Sequence, residues 1–410
     1  MAGRRAPKPQ QPLEHRLLLT ATFCLLAGGA VMVYSASSAR TLLAGQGDGT
    51  AYLIKYLAYG AIGLVGMHIL SRHGLELIRK ITPTLLLVSF GMLIAVKIPG
   101  LGVEVNGAKR WLGAGPFQFQ PSEIMKLALV LHTAAVIAQR PKITRELRLV
   151  IGPVLGPGIC AIGLIFMEPD LGTALVVSFT LAAMLLVAGV PARQLALVVG
   201  IAALVILVFA LMEPYRRARL TAFLNPWADA GDTGYQAAQG QIALGSGGLL
   251  GVGPGQSVQK IFYLPEAHTD FILAVIGEEL GVAGISVLLF LYGMIAYAGL
   301  RTAKAAKGIY AKLLAAGLTS LILCQALLNI YAVLGLAPLT GVPLPFISSG
   351  SSSLVVLLCS MGLLLNIARG GSAHLRALDR KPRDDENRDR SRRDRGTRRP
   401  SSGSRRRAAG

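Results

Sequence analysis

Asp270 stands in the stretch PEAHTDFILAVIGEELG, residues 265–281, where an acid meets a long apolar run that itself carries Glu278 and Glu279. A carboxylate at such a boundary either caps the helix that follows, a task that suits Thr and Asp, or takes part in proton transfer. His268 and Thr269 beside it make a dense polar cluster, and Glu278 lies eight residues on, along broadly the same side of a helix. Other charges enter apolar surroundings elsewhere. In PSEIMK, Ser122 reads as an N-cap, while Glu123 and Lys126 stand three apart on one helical face. A self-neutralising ion pair satisfies that spacing, but intramembrane charge is costly and marks functional paths. Asp170, in MEPDLG, heads another apolar run as a cap or as a cavity-lining group. Ser348, Ser349, Ser351, Ser352 and Ser353 form a hydroxyl cluster in PLTGVPLPFISSGSSSL, where capping and small-residue packing compete with a binding role.

These residues need a bilayer around them. With 53% hydrophobic and 15% charged residues and a mean hydropathy of +0.55, the 410-residue chain is too apolar for an ordinary soluble protein. A spanning helix needs about 20 mostly apolar residues. Ten segments qualify: 16–38, 51–70, 81–98, 122–138, 148–167, 171–190, 193–212, 271–299, 308–336 and 350–369. The expected fold is therefore an all-α integral membrane protein of about ten spans, with a large loop, 213–270, between the seventh and eighth. Lys and Arg concentrate in 1–15, 72–80, 140–148, at Arg193, in 301–307 and in the tail, so both ends are expected inside the cell. The outside exceptions are Lys109 and Arg110 in one loop and Arg216, Arg217, Arg219 and Lys260 in the longest. The first apolar run is long enough to span and lacks a convincing cleavage site, so it reads as a span and not a leader.

Three divisions follow: a cytoplasmic segment 1–15, a polytopic domain 16–369, and a basic tail 370–410. The tail holds 14 basic and 6 acidic side chains, contributing +8 to a formal +20, and has too few large apolar residues to build a core. A solvated cytoplasmic tail attracted to anionic lipid suits it, with docking of a cytoplasmic partner as the alternative; nucleic-acid binding does not, because no aromatics interleave the basic residues. Cys24, Cys160, Cys324 and Cys359 all fall within spans and give neither a disulfide framework nor a metal spacing. The stretch GSGGLLGVGPGQS matches no phosphate-loop pattern and reads as close-packed backbone at the membrane surface.

In order along residues 15 to 370, NGAKRWLG, FQPSEIMKLA, EPDLGTA, PYRRARLTAFLNPWAD, GYQ, PEAHTDFILAVIGEELG and TGVPLPFISSGSSSL resemble the signatures of the SEDS family (shape, elongation, division and sporulation; FtsW, RodA, SpoVE). NPWAD and PEAHTDF are more similar to the division members than to the elongation members. One departure is Ser-Gly-Ser-Ser in place of the usual double glycine opening the last signature. The resemblance implies an inverting peptidoglycan glycosyltransferase that polymerises lipid II on the outer face of the bacterial cytoplasmic membrane, for septal wall synthesis. It implies a class B penicillin-binding transpeptidase as partner, among other divisome membrane proteins. The family's essential aspartate falls on Asp270, and its cavity charges on Arg110, Glu123, Lys126 and Asp170. Trp111, His268, Glu278 and Ser352 complete the expected substrate-binding set.

The chemistry is consistent with this. A lipid-linked pyrophosphate disaccharide needs a lipid-accessible groove, cations for the pyrophosphate, here Arg110 and Lys126, and a base for the acceptor hydroxyl, here Asp270. A divalent ion, Mg2+ or Mn2+, is a further candidate, since oxygen-ligand sites leave little trace in sequence. An elongation-type polymerase, a lipid II flippase and a non-catalytic scaffold remain alternatives. A flippase would favour inverted repeats with broken helices; no convincing repeat is present.

Overall fold

Backbone groups find no hydrogen-bond partner in hydrocarbon, so apolar runs cross a membrane as helices, and every one of the ten runs is helical here. The computed structural model describes residues 12–370 except 44, 46–49, 106, 115–116, 213–216, 218–222, 229–230, 232–233 and 262. In chain order the helices are α1 (Leu13–Leu43), α2 (Thr50–Arg72), α3 (Leu75–Ala95), α4 (Pro121–Gln139), α5 (Arg148–Met167), α6 (Leu171–Ala188), α7 (Ala192–Met212), a short α8 (Tyr235–Ser246), α9 (Ile272–Ala305), α10 (Ile309–Val333) and α11 (Ser351–Ala368). Among the described residues nine are long and apolar enough to cross a membrane, and α7, with 21 residues, fills the tenth run. Residues 1–11, the tail from 371, and Arg216, Arg219 and Asp229 lie outside the described residues.

Burial separates centre from rim. The apolar stretches of α4, α10 and α11 are 78%, 78% and 83% buried, whereas those of α2 and α3 are 22% buried. The second pair turns side chains such as Val65 and Leu87 outward, as a lipid-facing surface requires. Packing is closest where glycine lets backbones approach. On the α2–α11 seam a Cβ at Gly63 would lie 2.5 Å from Leu358 Cδ1, and one at Gly362 would lie 2.6 Å from the Met67 carbonyl oxygen.

Besides a π-helical turn in α5, Ile151–Leu155, two features depart from uninterrupted helices. The connection between α3 and α4 carries a small three-stranded antiparallel sheet, β1 (Gly102–Val105), β2 (Ala108–Ala114) and β3 (Phe117–Phe119), which the expected all-α membrane fold carries in addition to its helices. Val105 pairs with Ala108, and Gly107 between them has φ +76°, the left-handed conformation that glycine adopts without strain. The second departure is a break in α9 at Gly281, whose φ of 65° and ψ of −162° are non-helical. The glycine-rich loop repairs it with its own backbone. Val252 N–H donates to the Glu278 carbonyl (2.9 Å) and Gly253 N–H to that of Glu279 (3.1 Å). In return the Val282 and Ala283 N–H groups donate to the carbonyls of Gly248 (3.0 Å) and Leu249 (3.1 Å).

Candidate functional site

By chain order the C-terminal ends of α1, α3, α5, α7 and α10 share one end of the bundle with the N-terminal ends of α2, α4, α6, α9 and α11. Contacts between their connections confirm the grouping: the Tyr52 and His268 rings meet edge-on with centroids 4.5 Å apart. Ser349 N–H donates to the His268 carbonyl (3.1 Å). The Arg110 side chain on β2 donates to the Glu168 carbonyl (2.8 Å) and the Pro169 carbonyl in the α5–α6 turn.

The strut that organises this end is the irregular segment 340–350 between α10 and α11. Pro343 and Pro345 keep it from becoming helix, and carbonyls exposed in this way need outside donors. Side chains of the surrounding helices supply them. Asn329 donates to Val342 O (2.8 Å), Gln325 to Pro343 O (3.1 Å), Tyr292 to Pro345 O (2.7 Å) and Tyr56 to Phe346 O (2.6 Å). At Gly172, on the first turn of α6, a Cβ would meet Thr340 O at 2.5 Å, so α6 lies directly against the strut.

Asp270 sits at one end of that strut. Its backbone is held from both sides: Asn329 donates to its own carbonyl (2.8 Å), and the Ser348 hydroxyl donates to the carbonyl of Thr269 (2.7 Å). Phe271, one residue on, is the N-cap of α9, so Asp270 stands just ahead of the helix and not at its cap position. The half-buried carboxylate instead lines a cavity of about 40 Å³ with Gln236, Asn329, Thr340 and Gly341. That is room for a water or so, and a larger molecule must meet the acid from its open side. A Cβ on Gly341, whose φ is +70°, would lie 3.4 Å from Asp270 Oδ2.

A second group gathers around Asp170. Its Oδ1 accepts from Thr173 N–H (3.0 Å), so it does cap α6, and its Oδ2 accepts from the Gln120 amide (2.8 Å). Gln120 N–H in turn donates to the Ser352 hydroxyl (3.0 Å). Sequence reasoning passed over the neighbour Glu168, which is fully buried with both carboxylate oxygens lacking a hydrogen-bond partner. Burial, then the Asp170 charge, pushes its carboxyl up to about 8, against the opposing pull of Lys97 and Arg110. An acid in an apolar stretch beside a predicted site residue was the available signal.

The third group is Glu123 with Lys126. The ammonium meets Glu123 Oε1 at 2.9 Å and the Gln325 amide oxygen at 2.8 Å, and the side chains are 3% and 1% exposed. Gln325 continues to the Ser353 hydroxyl on α11 (3.0 Å) and to the Pro343 carbonyl (3.1 Å), tying the pair to α11 and to the strut. Ser122 does not cap α4: Gln120 is the N-cap, Pro121 follows it, and the buried Ser122 hydroxyl has no hydrogen-bond partner.

A profile of the family described as cell cycle protein (FtsW, RodA, SpoVE) matches residues 15–372. The chain belongs to this family. It is 39% identical to stage V sporulation protein E of Bacillus subtilis (strain 168), covering 86% of this chain and 96% of that protein. It is 41% identical to a probable peptidoglycan glycosyltransferase FtsW of Pseudomonas fluorescens (strain SBW25), covering 87% and 88%. Among solved structures, a chain from a peptidoglycan synthase complex that coordinates polymerization and crosslinking superposes with a TM-score of 0.71 at 31% identity, covering 86% of this chain and 96% of that one. The rod shape determining protein RodA of Thermus thermophilus gives 0.63 at 27%, covering 86% and 95%.

Within this family fold the expected site residues divide. Asp270 and His268 share one turn against the strut; Arg110, Asp170 and Ser352 meet around Gln120 and the α5–α6 turn; Trp111 is half-buried on β2. Glu278 is a correction. Its carboxylate accepts from the Ser257 hydroxyl (2.5 Å) and Val258 N–H (2.9 Å), so it pins the glycine-rich loop and does not face Asp270's cavity. Glu279 does the same for α1, accepting from Lys260 (2.7 Å) and from Ser35 (2.7 Å). Among the described residues no group of three or more His, Cys, Asp or Glu side chains is gathered to hold a metal ion.

Proposed function

We propose that Asp270 is the general base of lipid II polymerisation on the outer face of the cytoplasmic membrane. The chain is a peptidoglycan glycosyltransferase of the FtsW, RodA and SpoVE family and a multi-pass membrane protein. The observation that carries the assignment is an acid that lines a cavity at the outer end of the bundle and has its backbone held by Asn329 and Ser348. Asp270 takes the proton from the 4-hydroxyl of the acceptor sugar as that oxygen attacks the donor's anomeric carbon. The bond to the pyrophosphate breaks with inversion, and undecaprenyl pyrophosphate leaves. General-base catalysis of this kind is worth roughly 10² to 10⁴ in rate.

Arg110 suits the pyrophosphate. Its guanidinium is only half-buried, held by backbone carbonyls that leave its charge uncompensated by any ion pair in the described structure, and preorganised cations stabilise charge developing on a leaving group. Lys126, expected to share that task, is enclosed between Glu123 and Gln325 and acts through the fold. Resemblance to the synthase-complex chain supports a class B penicillin-binding transpeptidase as partner, and similarity to FtsW proteins supports a septal role with divisome membrane proteins.

The test is incubation of the purified chain with lipid II, with and without its transpeptidase partner. Glycan polymer in either reaction supports the reading. Movement of lipid II between leaflets with no polymer in both would replace it with the flippase alternative.

A further inference from the structure

At the opposite end of the bundle α5 contains a π-helical turn, Ile151–Leu155, and its cause is legible. Pro153 and Pro157 stand four apart, and Pro157 has no N–H to return to the Pro153 carbonyl. That carbonyl is met instead from α4, where His132 Nε2 lies 2.9 Å away and donates. The bulge leaves a cavity of about 360 Å³ between α4 and α5, lined by His132, Val136, Gln139, Arg140, Pro153 and Pro157.

Its polarity is graded. Arg140 and Gln139 are exposed at the mouth, and His132, eight residues back along α4, lies about 12 Å deeper at 1.5 Å per residue. Val136 and the two prolines form apolar walls between them. Lys142 and Arg148 are exposed in the chain that leads from the mouth into α5, and neither they nor Arg140 form an ion pair in the described structure. A cationic mouth over an apolar slot that opens at a bundle end complements an amphiphile with an anionic head. Basic pockets between membrane helices hold such headgroups.

We propose that this cavity binds one anionic phospholipid from the leaflet at that end of the bundle, with the phosphate on Arg140 and the glycerol and first acyl carbons against Val136, Pro153 and Pro157. Native mass spectrometry of the full chain in detergent, titrated with phosphatidylglycerol or phosphatidylcholine, tests it. Wild type should retain one phosphatidylglycerol in preference to phosphatidylcholine. Arg140→Gln should weaken that retention about five- to tenfold, as expected for one basic group near a lipid phosphate. Val136→Trp should block it by filling the slot. Lys304→Gln, an exposed basic residue at the same end of α9, should leave it unchanged, and millimolar inorganic phosphate should not displace the lipid. Equal retention by Arg140→Gln, an equal loss in Lys304→Gln, equal binding of phosphatidylcholine, or displacement by inorganic phosphate would each overturn the proposal.

Discussion

Replacing Lys126 by Met should strand Glu123 in the most enclosed part of the bundle. The pair joins at 2.9 Å with side chains 1% and 3% exposed, and Glu123 Oε2 already lacks a hydrogen-bond partner. With the ammonium gone, Oε1 loses its partner too, and the Gln325 amide oxygen loses the 2.8 Å bond it receives. Breaking a buried pair from one side costs about 3–5 kcal/mol, and an unmet buried amide oxygen adds about 1–3 kcal/mol. Removing both charges is a different perturbation, because a neutral pair of similar volume is often tolerated. Glu123→Gln with Lys126→Met should therefore recover most of the loss. Thermal unfolding in detergent of wild type, both single variants and the double variant forms the required cycle. A single variant as stable as wild type, or a double variant no better than Lys126→Met, would refute the reasoning.

Glu168 should make stability pH-dependent. Its folded-state carboxyl is raised from 4.5 to about 8, so between those values the folded chain holds a proton that the unfolded chain has released. Stability is then fullest below about pH 4.5 and falls as pH rises towards 8; Glu168→Gln should flatten that slope in melting curves, and an unchanged slope counts against the assignment. Gly341→Ala puts a Cβ at φ +70° and 3.4 Å from the Asp270 carboxylate. Polymerisation should drop at least tenfold in a protein that still inserts, and an unimpaired rate would mean that this approach is unimportant. Gly281→Val would place its Cβ 2.4 Å from Gly251 N at φ +65°; limited proteolysis should show the 247–260 loop released from α9, and wild-type protection would contradict the repaired-helix account.

The membrane helices were legible because each is a long apolar run, and hydrocarbon leaves such a run few options other than helix. The sheet in 102–119 was not read, although Asn106–Gly107 announced its hairpin; its strands are short and lack strict alternation. Asp170 was readable as a cap because capping is local, and the Glu123–Lys126 pairing followed from helical spacing. Asp270 was readable both as a cap and as a base, because Thr and Asp suit either end of that choice; that Phe271 and not Asp270 takes the N-cap position depends on how the chain enters α9 and is not written in the local sequence. Glu278 and Glu279 could not be assigned from sequence, because their roles depend on a loop that folds back over α9 and on Ser35, distant in the chain. The same holds for the strut: its serines were visible, but the donors that hold its carbonyls come from α2, α9 and α10.

The most direct test of the central claim is the initial rate of glycan polymerisation by Asp270→Asn with lipid II and the transpeptidase partner. Asn keeps the size of the side chain and the backbone contacts from Asn329 and Ser348, and it removes the base. The account predicts a protein that inserts, melts near wild type and loses roughly 10² to 10⁴ in rate. A well-folded Asp270→Asn chain that polymerises lipid II at close to the wild-type rate would contradict it.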